Sequence, residues 1–140
     1  MEMPEEIKGT LSLSAATVKS EAIQFPLMQG DYKAAVIKSI EIEYPGLDTV
    51  NDQMWFSLGQ NQETSEPNLS DSSIYDKFKE KAFALGTLKS PLKHDFYPGI
   101  PVARQKLYVT GYATDAMDIH YKITYVIRRI NAKQLYNAMF

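Results

Sequence analysis

The sequence contains two histidines and no cysteine, so the histidines are the first candidates for catalysis or metal binding. His120 alternates with apolar residues, and it shares one face of a predicted strand with Asp118 and Lys122. A metal site needs two or three ligands that converge at fixed spacing, whereas Asp118 and His120 alone form a pair that is common on polar strand faces. We interpret His120 as an outward residue of an ordinary strand, with metal binding by Asp118 and His120 as the alternative.

The remaining candidates for catalysis are His94 and the carboxylates of Glu41 and Glu43. His94 adjoins Asp95 in KSPLKHDFYPG, which we interpret as a loop, and the side chains of adjacent residues diverge. Glu41 and Glu43 alternate with isoleucines, which is typical of the solvent face of a strand, although a hydrolase could use either carboxylate in a deep pocket. Because a glycine-rich phosphate loop is also absent, we expect no enzymatic activity, no cofactor and no metal.

Composition and charge limit the class of protein further. The 140 residues, of which 44% are hydrophobic, suffice for one globular domain with its own core. A net charge of -2 gives little support for a surface that neutralises phosphates, and Arg128, Arg129 and Lys133 form the only basic cluster near the end of an element. The acidic opening MEMPEEIKGT lacks the features of a signal peptide, and no apolar run is long enough to span a membrane. We therefore expect synthesis in the cytoplasm.

Alternating apolar residues predict the strands that position these groups. In the segment Met117–Ile127 every second residue is apolar, which predicts a long strand with one buried face. A second long strand is predicted over Tyr32–Tyr44, with a bulge near Lys38 and Ser39, where the alternation breaks. Shorter strands are predicted in TLSLS, VKSEAIQFPL, QMWFSLGQ and QKLYVTGYA.

Two segments depart from the strand period. Four apolar residues in SSIYDKFKEKAFALG follow spacings of three and four, which predicts a helix over residues 72–85. Asn131 can cap a short helix at the C-terminus. The chain thus divides into a flexible N-terminal arm, a β-sandwich domain and a C-terminal tail, which comprise residues 1–9, 10–130 and 131–140.

The predicted strands are not regularly interleaved with helices, which favours an antiparallel sandwich or barrel over a parallel sheet. This organisation resembles that of the single jelly-roll capsid proteins of small icosahedral viruses. The likeness lies in the acidic arm, the long strand YKAAVIKSIEIEY, the helix predicted in a long connection, and the order PGIPVARQKLYVTGYAT followed by MDIHYKITYVIRRINAKQLYNAMF. It implies an all-β, mainly antiparallel jelly-roll-type β-sandwich with one helix in a long connection and a short C-terminal helix.

The resemblance implies a structural subunit that assembles with copies of itself into an icosahedral shell, with other virion proteins as further partners and the virion as its location. Many coat proteins carry a basic arm where this chain has MEMPEE, so we expect no strong nucleic-acid binding by the arm. The tail NAKQLYNAMF places four apolar residues at helical spacing, and we expect a subunit interface there: Leu135, Tyr136, Met139 and Phe140.

Two alternatives remain open from the sequence. The apolar stripe of the tail could cap its own domain instead of another subunit. The protein could also be a carbohydrate- or protein-binding β-sandwich module, since tyrosine and tryptophan on an exposed sheet bind sugars and partner proteins. The ligand face would then consist of Trp55, Tyr108 and Tyr112.

Overall fold

Eight strands account for most of the chain that the computed structural model describes, which comprises residues 3–26, 33–45, 47, 51–81, 92–129, 131 and 133. In chain order the strands are β1 (Glu5–Leu13), β2 (Lys19–Gln24), β3 (Lys33–Glu43), β4 (Gln53–Gly59), β5 (Ile74–Lys81), β6 (Leu92–Val102), β7 (Lys106–Ala113) and β8 (Met117–Arg129). Within these residues, no helix combines the length and apolarity that crossing a membrane would require.

The strands pair from the two ends of the sequence inwards. β1 pairs with β8, β2 with β7, β3 with β6 and β4 with β5, in every case antiparallel. Two further antiparallel pairings, of β3 with β8 and of β4 with β7, join these ribbons into four-stranded sheets. Sheet A has the order β1-β8-β3-β6, and sheet B has the order β2-β7-β4-β5. This is the strand order of a jelly roll, and it confirms the predicted antiparallel β-sandwich.

The core lies between the two sheets and is filled by alternate side chains of the strands. In β8, Ile119 and Ile123 are fully buried, whereas the outward residues Asp118 and His120 are exposed. Each such aliphatic side chain stabilises the fold by roughly 1.5–3 kcal/mol when it leaves water. Both sheets contribute to the fully buried set, which includes Leu11, Ile37, Ile40, Ile42, Met54, Phe56, Leu58, Leu107, Ile119 and Ile123.

The bulge predicted in β3 is confirmed. The register of β3 shifts between Ile37 and Ser39 against both β6 and β8, so Lys38 is the extra residue. Its ammonium group donates a hydrogen bond of 2.8 Å to the carbonyl of Pro98 in β6. The extra residue lets Ile37 and Ile40 both point into the core, although their spacing of three would place them on opposite faces of a regular strand.

The helix predicted over residues 72–85 is wrong. Ile74–Lys81 is strand β5, which pairs with β4, and the rest of the predicted helix lies outside the described residues. The prediction failed because Ile74 and Phe78, which are four residues apart, share a face in a strand as well as in a helix. Asp76 lies between them on the same face and is buried. Because this buried residue is an acid and not an apolar residue, the period of two was not visible in the sequence.

Two other segments are also strands rather than arm or loop. β1 begins at Glu5, inside the predicted arm of residues 1–9, and the hydroxyl of Tyr125 donates to the Glu5 carboxylate. Burial, together with this hydrogen bond, raises the pKa of Tyr125 to about 12. The segment around His94, predicted as a loop, is strand β6. Because β6 is an edge strand of sheet A, it tolerates the prolines that made it look irregular.

Gly111 of β7 marks a place where the two sheets approach closely. A Cβ atom added there would lie 2.7 Å from Cδ2 of Leu11, which is fully buried and cannot move aside. We expect Gly111→Val to lower the free energy of unfolding by about 1–3 kcal/mol, measured by urea denaturation. The control is Ala22→Val on the exposed face of the neighbouring strand β2, which should change stability by less than about 0.5 kcal/mol. Equal effects of the two substitutions would contradict this account of the sheet contact.

Candidate functional site

His120 lies on the outer face of sheet A, away from the core. It is exposed, and in register it stands between Thr10 of β1 and Glu43 of β3. His120 Nδ1 and Thr10 Oγ1 are 2.8 Å apart and share a hydrogen bond. Asp118 lies opposite Ser12 in the next outward row. In the part of the chain that the structure describes, no three His, Asp or Glu side chains are grouped as metal ligands.

An open groove of about 430 Å³ crosses the outer face of sheet A beside His120. We call it the sheet A groove, and its outward side chains are Lys8, Thr10, Glu41, Glu43, His120 and Lys122. Lys8 and Lys122 stand directly opposite each other, which is an unfavourable cross-strand pair, and Glu41 opposes Lys122 from the other side. The two glutamates thus line an open surface, where a small polar group or a side chain can bind but water is not excluded.

The other histidine pairs with a buried acid at the opposite side of the sandwich. His94 Nδ1 lies 2.7 Å and 2.9 Å from the two carboxylate oxygens of Asp76, to which its N–H donates. The imidazole ring stacks on Phe78, with centroids 3.9 Å apart and planes 9° from parallel. Asp76 belongs to β5 and His94 to β6, which are the edge strands of different sheets. The pair therefore links sheet B to sheet A through side chains.

Electrostatics at this pair are dominated by the burial of the acid. The side chain of Asp76 is 11% exposed, whereas that of His94 is 43% exposed. Burial raises the pKa of Asp76 above its usual value, and the hydrogen bond and positive charge of His94 oppose that rise. His94 and the backbone N–H of Lys77 thus replace part of the stabilisation that water would otherwise give the Asp76 carboxylate.

The outer face of sheet B carries the aromatic residues considered for ligand binding. Trp55 stacks on Tyr112, with ring centroids 6.1 Å apart and planes 13° from parallel. Trp55 is only 3% exposed, so its ring is not available to a sugar. Tyr108 is half-buried two residues before Thr110 in β7, and its ring lies under the Lys106 ammonium at 5.5 Å. The three aromatic residues share a face but do not form one exposed platform.

The loop between β4 and β5 is bound to this face of sheet B by ion pairs and a hydrogen bond. Glu66 forms ion pairs with Lys79 at 2.8 Å and with Lys77 at 3.3 Å, and Lys77 also donates to the carbonyl of Pro67. The hydrogen bond from Lys79 lowers the pKa of Glu66 below its usual range. Lys79 stands opposite Trp55 in register. The loop thus lies across the side of sheet B that holds the tryptophan.

Large apolar side chains that remain exposed are few in the described chain. They are Met3, Leu69 and Tyr97, of which Tyr97 in β6 is 100% exposed. The predicted interface residues of the tail, Leu135, Tyr136, Met139 and Phe140, lie outside the described residues. One residue of the basic cluster predicted from the sequence, Arg129, stands opposite another cation, Lys33, at one end of sheet A.

Comparison with known proteins gives structural neighbours but no relatives in sequence. No protein-family model matches the chain, and no curated protein matches its sequence. A chain from the X-ray structure of tomato aspermy virus is similar with a TM-score of 0.49 and 16% identity, over 92% of this chain and 79% of that one. The decameric BFDV capsid protein is similar with a TM-score of 0.46 and 9% identity, over 94% of this chain and 99% of that one.

A third neighbour is the 60-mer BFDV capsid protein, with a TM-score of 0.39 and 10% identity, over 92% of this chain and 93% of that one. Two of these three neighbours are described as capsid proteins, and the other comes from the structure of a virus.

Sequence reasoning missed two residues that the structure makes prominent. Asp76 was absorbed into a helical pattern, although an acid on the same strand face as Ile74 and Phe78 is itself a signal of a buried polar pair. Tyr97 was hidden in an apparent loop, although its neighbours Pro98 and Gly99 indicated a sharp local bend. In both cases the segment was predicted as helix or loop instead of strand, and the orientation of the side chain was therefore missed as well.

Removing His94 tests the link between the sheets and its dependence on pH. Because the pKa of Asp76 is raised in the folded state, this group contributes most stability below about pH 3.9, and the contribution is lost as the pH rises through the raised value. His94→Ala takes away the group that opposes the rise. We expect it to cost about 1–3 kcal/mol at neutral pH and less as the pH falls towards 4, measured by urea denaturation at several pH values.

The matched control for that experiment is Asp76→Asn. The amide keeps an oxygen that can accept from His94 but does not titrate, so stability should vary less between pH 4 and 7 than in the native protein. A loss on His94→Ala that is the same at both ends of this range would contradict the buried-acid account.

Replacing Trp55 separates packing from ligand binding. We expect Trp55→Ala to lower the free energy of unfolding by about 3–5 kcal/mol, because it empties a buried site beside Tyr112. Tyr108→Ala, on the same face but half-buried, should cost clearly less. Both are measured by denaturation followed by circular dichroism. A stable Trp55→Ala protein that lost binding on a glycan array would instead support the sugar-binding alternative.

Proposed function

We propose that this protein is a self-assembling structural subunit, and that its assembled form is the icosahedral shell of a virus. The observation that carries the proposal is the strand order β1-β8-β3-β6 and β2-β7-β4-β5. Jelly rolls of this kind serve chiefly as viral capsid domains, lectins and cupins, so the fold reduces the choice to a few classes. Because one fold serves several functions, the role also depends on the surface of the chain.

The surface favours assembly over the other classes. A lectin-like role would need exposed aromatic rings, but Trp55 is buried and stacked on Tyr112. An enzymatic role would need a shielded site, but Glu41, Glu43 and His120 line an open groove. A fully exposed tyrosine on an edge strand is, by contrast, the kind of residue that anchors protein interfaces. We therefore propose that the protein has no catalytic role.

We propose that the C-terminal tail contributes one subunit interface. Its apolar residues follow helical spacing, and a helix of this length is not stable alone in water, so it must dock on a surface. Burial of each such side chain would contribute roughly 1.5–3 kcal/mol before ordering costs. The net charge of -2 limits repulsion between copies. Contacts of this strength suit a shell in which many copies of one interface act together.

The proposal also specifies the partners of this protein and its location. The principal partners are copies of this chain, with other virion proteins as further partners, and the protein resides in the virion after synthesis in the host cytoplasm. Glu5 and Glu6 at the start of β1 make this end acidic, which supports a subunit whose N-terminus does not bind nucleic acid strongly.

Deleting residues 132–140 tests the role of the tail. We expect the full-length protein to sediment as a large particle or as defined oligomers, and the truncated protein to sediment as smaller species. The measurement is analytical ultracentrifugation at several protein and salt concentrations, with electron microscopy of the fastest fraction.

Two full-length variants serve as controls for that deletion. One replaces Leu135, Tyr136, Met139 and Phe140 by serine, and the other replaces the polar residues Lys133, Gln134 and Asn137 by serine. Only the first should lose assembly. A full-length protein that stays monomeric at high concentration across salt and pH, with a tail deletion that merely lowers its melting temperature, would overturn the proposal.

A further inference from the structure

Tyr97 is presented to solvent by a short protrusion of the edge strand β6. Between Asp95 and Ile100 the pairing of β6 with β3 is interrupted, and only Lys38 lies in the corresponding gap of β3. The protrusion therefore consists of Phe96, Tyr97, Pro98 and Gly99. Its tip is the Tyr97 ring, which is fully exposed, whereas Phe96 packs partly against the core.

The protrusion contacts strand β3 through Pro98 and Gly99. The Lys38 ammonium donates to the carbonyl of Pro98 at 2.8 Å. Gly99 has φ of 115°, and a Cβ there would lie 2.6 Å from Cγ1 of Val36, so its backbone sits directly on β3. A tyrosine on such a fixed base loses little conformational freedom when it binds, which is why rigid aromatic residues dominate many protein interfaces.

We propose that the Tyr97 ring seats in the sheet A groove of a second copy of this chain. This inference rests on the proposed self-assembly and names one contact of it. The groove of about 430 Å³ offers carboxylates and an imidazole that can hydrogen-bond a phenol, and it also offers two cations. Lys8 and Lys122 stand opposite each other, which is an unfavourable like-charge pair, although Lys8 Nζ lies 3.5 Å from the Glu6 carboxylate and Glu41 stands opposite Lys122. An aromatic face would add a further favourable partner for both ammonium groups.

The ring cannot reach the groove of its own chain. Tyr97 lies at the level of Lys38 in β3, whereas the groove is lined by Glu41 and Glu43, three and five residues further along that strand. Three to five residues of extended strand span roughly 10–17 Å, which exceeds the reach of one side chain. A Tyr97 ring that binds in the groove must therefore come from another molecule.

The contact joins two different patches, a protrusion and a groove. Either two copies exchange protrusions about a twofold axis, or each copy fills the groove of the next and repetition generates a ring or an open chain. The second arrangement brings more than two copies together, as a shell requires.

The absence of native cysteine allows the contact to be tested by disulfide trapping. We would mix the full-length variants Tyr97→Cys and Glu43→Cys under mild oxidation and analyse them on a non-reducing gel. We expect a heterodimer from the mixture, in at least tenfold excess over the homodimer of either variant alone. The matched control mixes Leu69→Cys, another exposed apolar position, with Glu43→Cys, and should give no such excess.

A second measurement separates failure of this contact from failure of the proposed function. Tyr97→Ala should weaken assembly in ultracentrifugation at least tenfold in concentration, with an unchanged unfolding transition, whereas Leu69→Ala should not. Preferential Tyr97→Cys homodimers, or assembly that survives Tyr97→Ala with no cross-link to Glu43→Cys, would overturn the contact and leave self-assembly standing. A native protein that never associates would overturn both.

Discussion

Strand β8 is the element on which the rest of the sandwich depends. It lies between β1 and β3 in sheet A, and it pairs with β1 along the whole length of that strand. Because β1 and β8 come from opposite ends of the sequence, their pairing costs the entropy of closing nearly the entire chain into a loop. Ile119 and Ile123, both fully buried, supply part of the free energy that offsets this cost. Once β1 and β8 are paired, the remaining strands can pair in order from the ends of the sequence inwards, β2 with β7, β3 with β6 and β4 with β5.

Pairing from the ends inwards leaves two open sides where the sheets meet only through side chains and loops. On one side β1 and β2 follow each other in sequence, and Lys19 donates to the carbonyl of Ser12 across the junction. On the other side β5 and β6 are held by Asp76 and His94. Replacing such a polar pair by apolar residues of the same volume often leaves stability unchanged or raises it. We interpret its value here as fixing how the edge strands sit, because a shifted strand would leave a buried carboxylate unpaired.

The sequence pattern predicted the fold where alternation was regular and failed where a polar residue faced inwards or a proline sat on an edge. β8 and the β3 bulge could be predicted because their apolar residues follow the strand period and its single interruption. β5 could not, since Asp76 occupies a core position that its long-range partner His94 makes acceptable. The groove around His120 could not be predicted either, because it depends on the register of three strands, which sequence periodicity does not fix.

The distribution of polarity over the two outer faces decides where another molecule can bind. Sheet A carries rows of charged side chains outwards, and the loop of Glu66 and Pro67 lies across sheet B. The most exposed large apolar side chain of the described residues is Tyr97, which projects from the edge strand β6. A polar face with one groove and an edge with one projecting ring gives contacts that are individually small. Small contacts that repeat around a closed assembly add up through effective concentration, while each remains weak enough to break and re-form. In the assembly that we propose, weak contacts let a wrongly placed copy dissociate and bind again, whereas a large exposed apolar face favours aggregation.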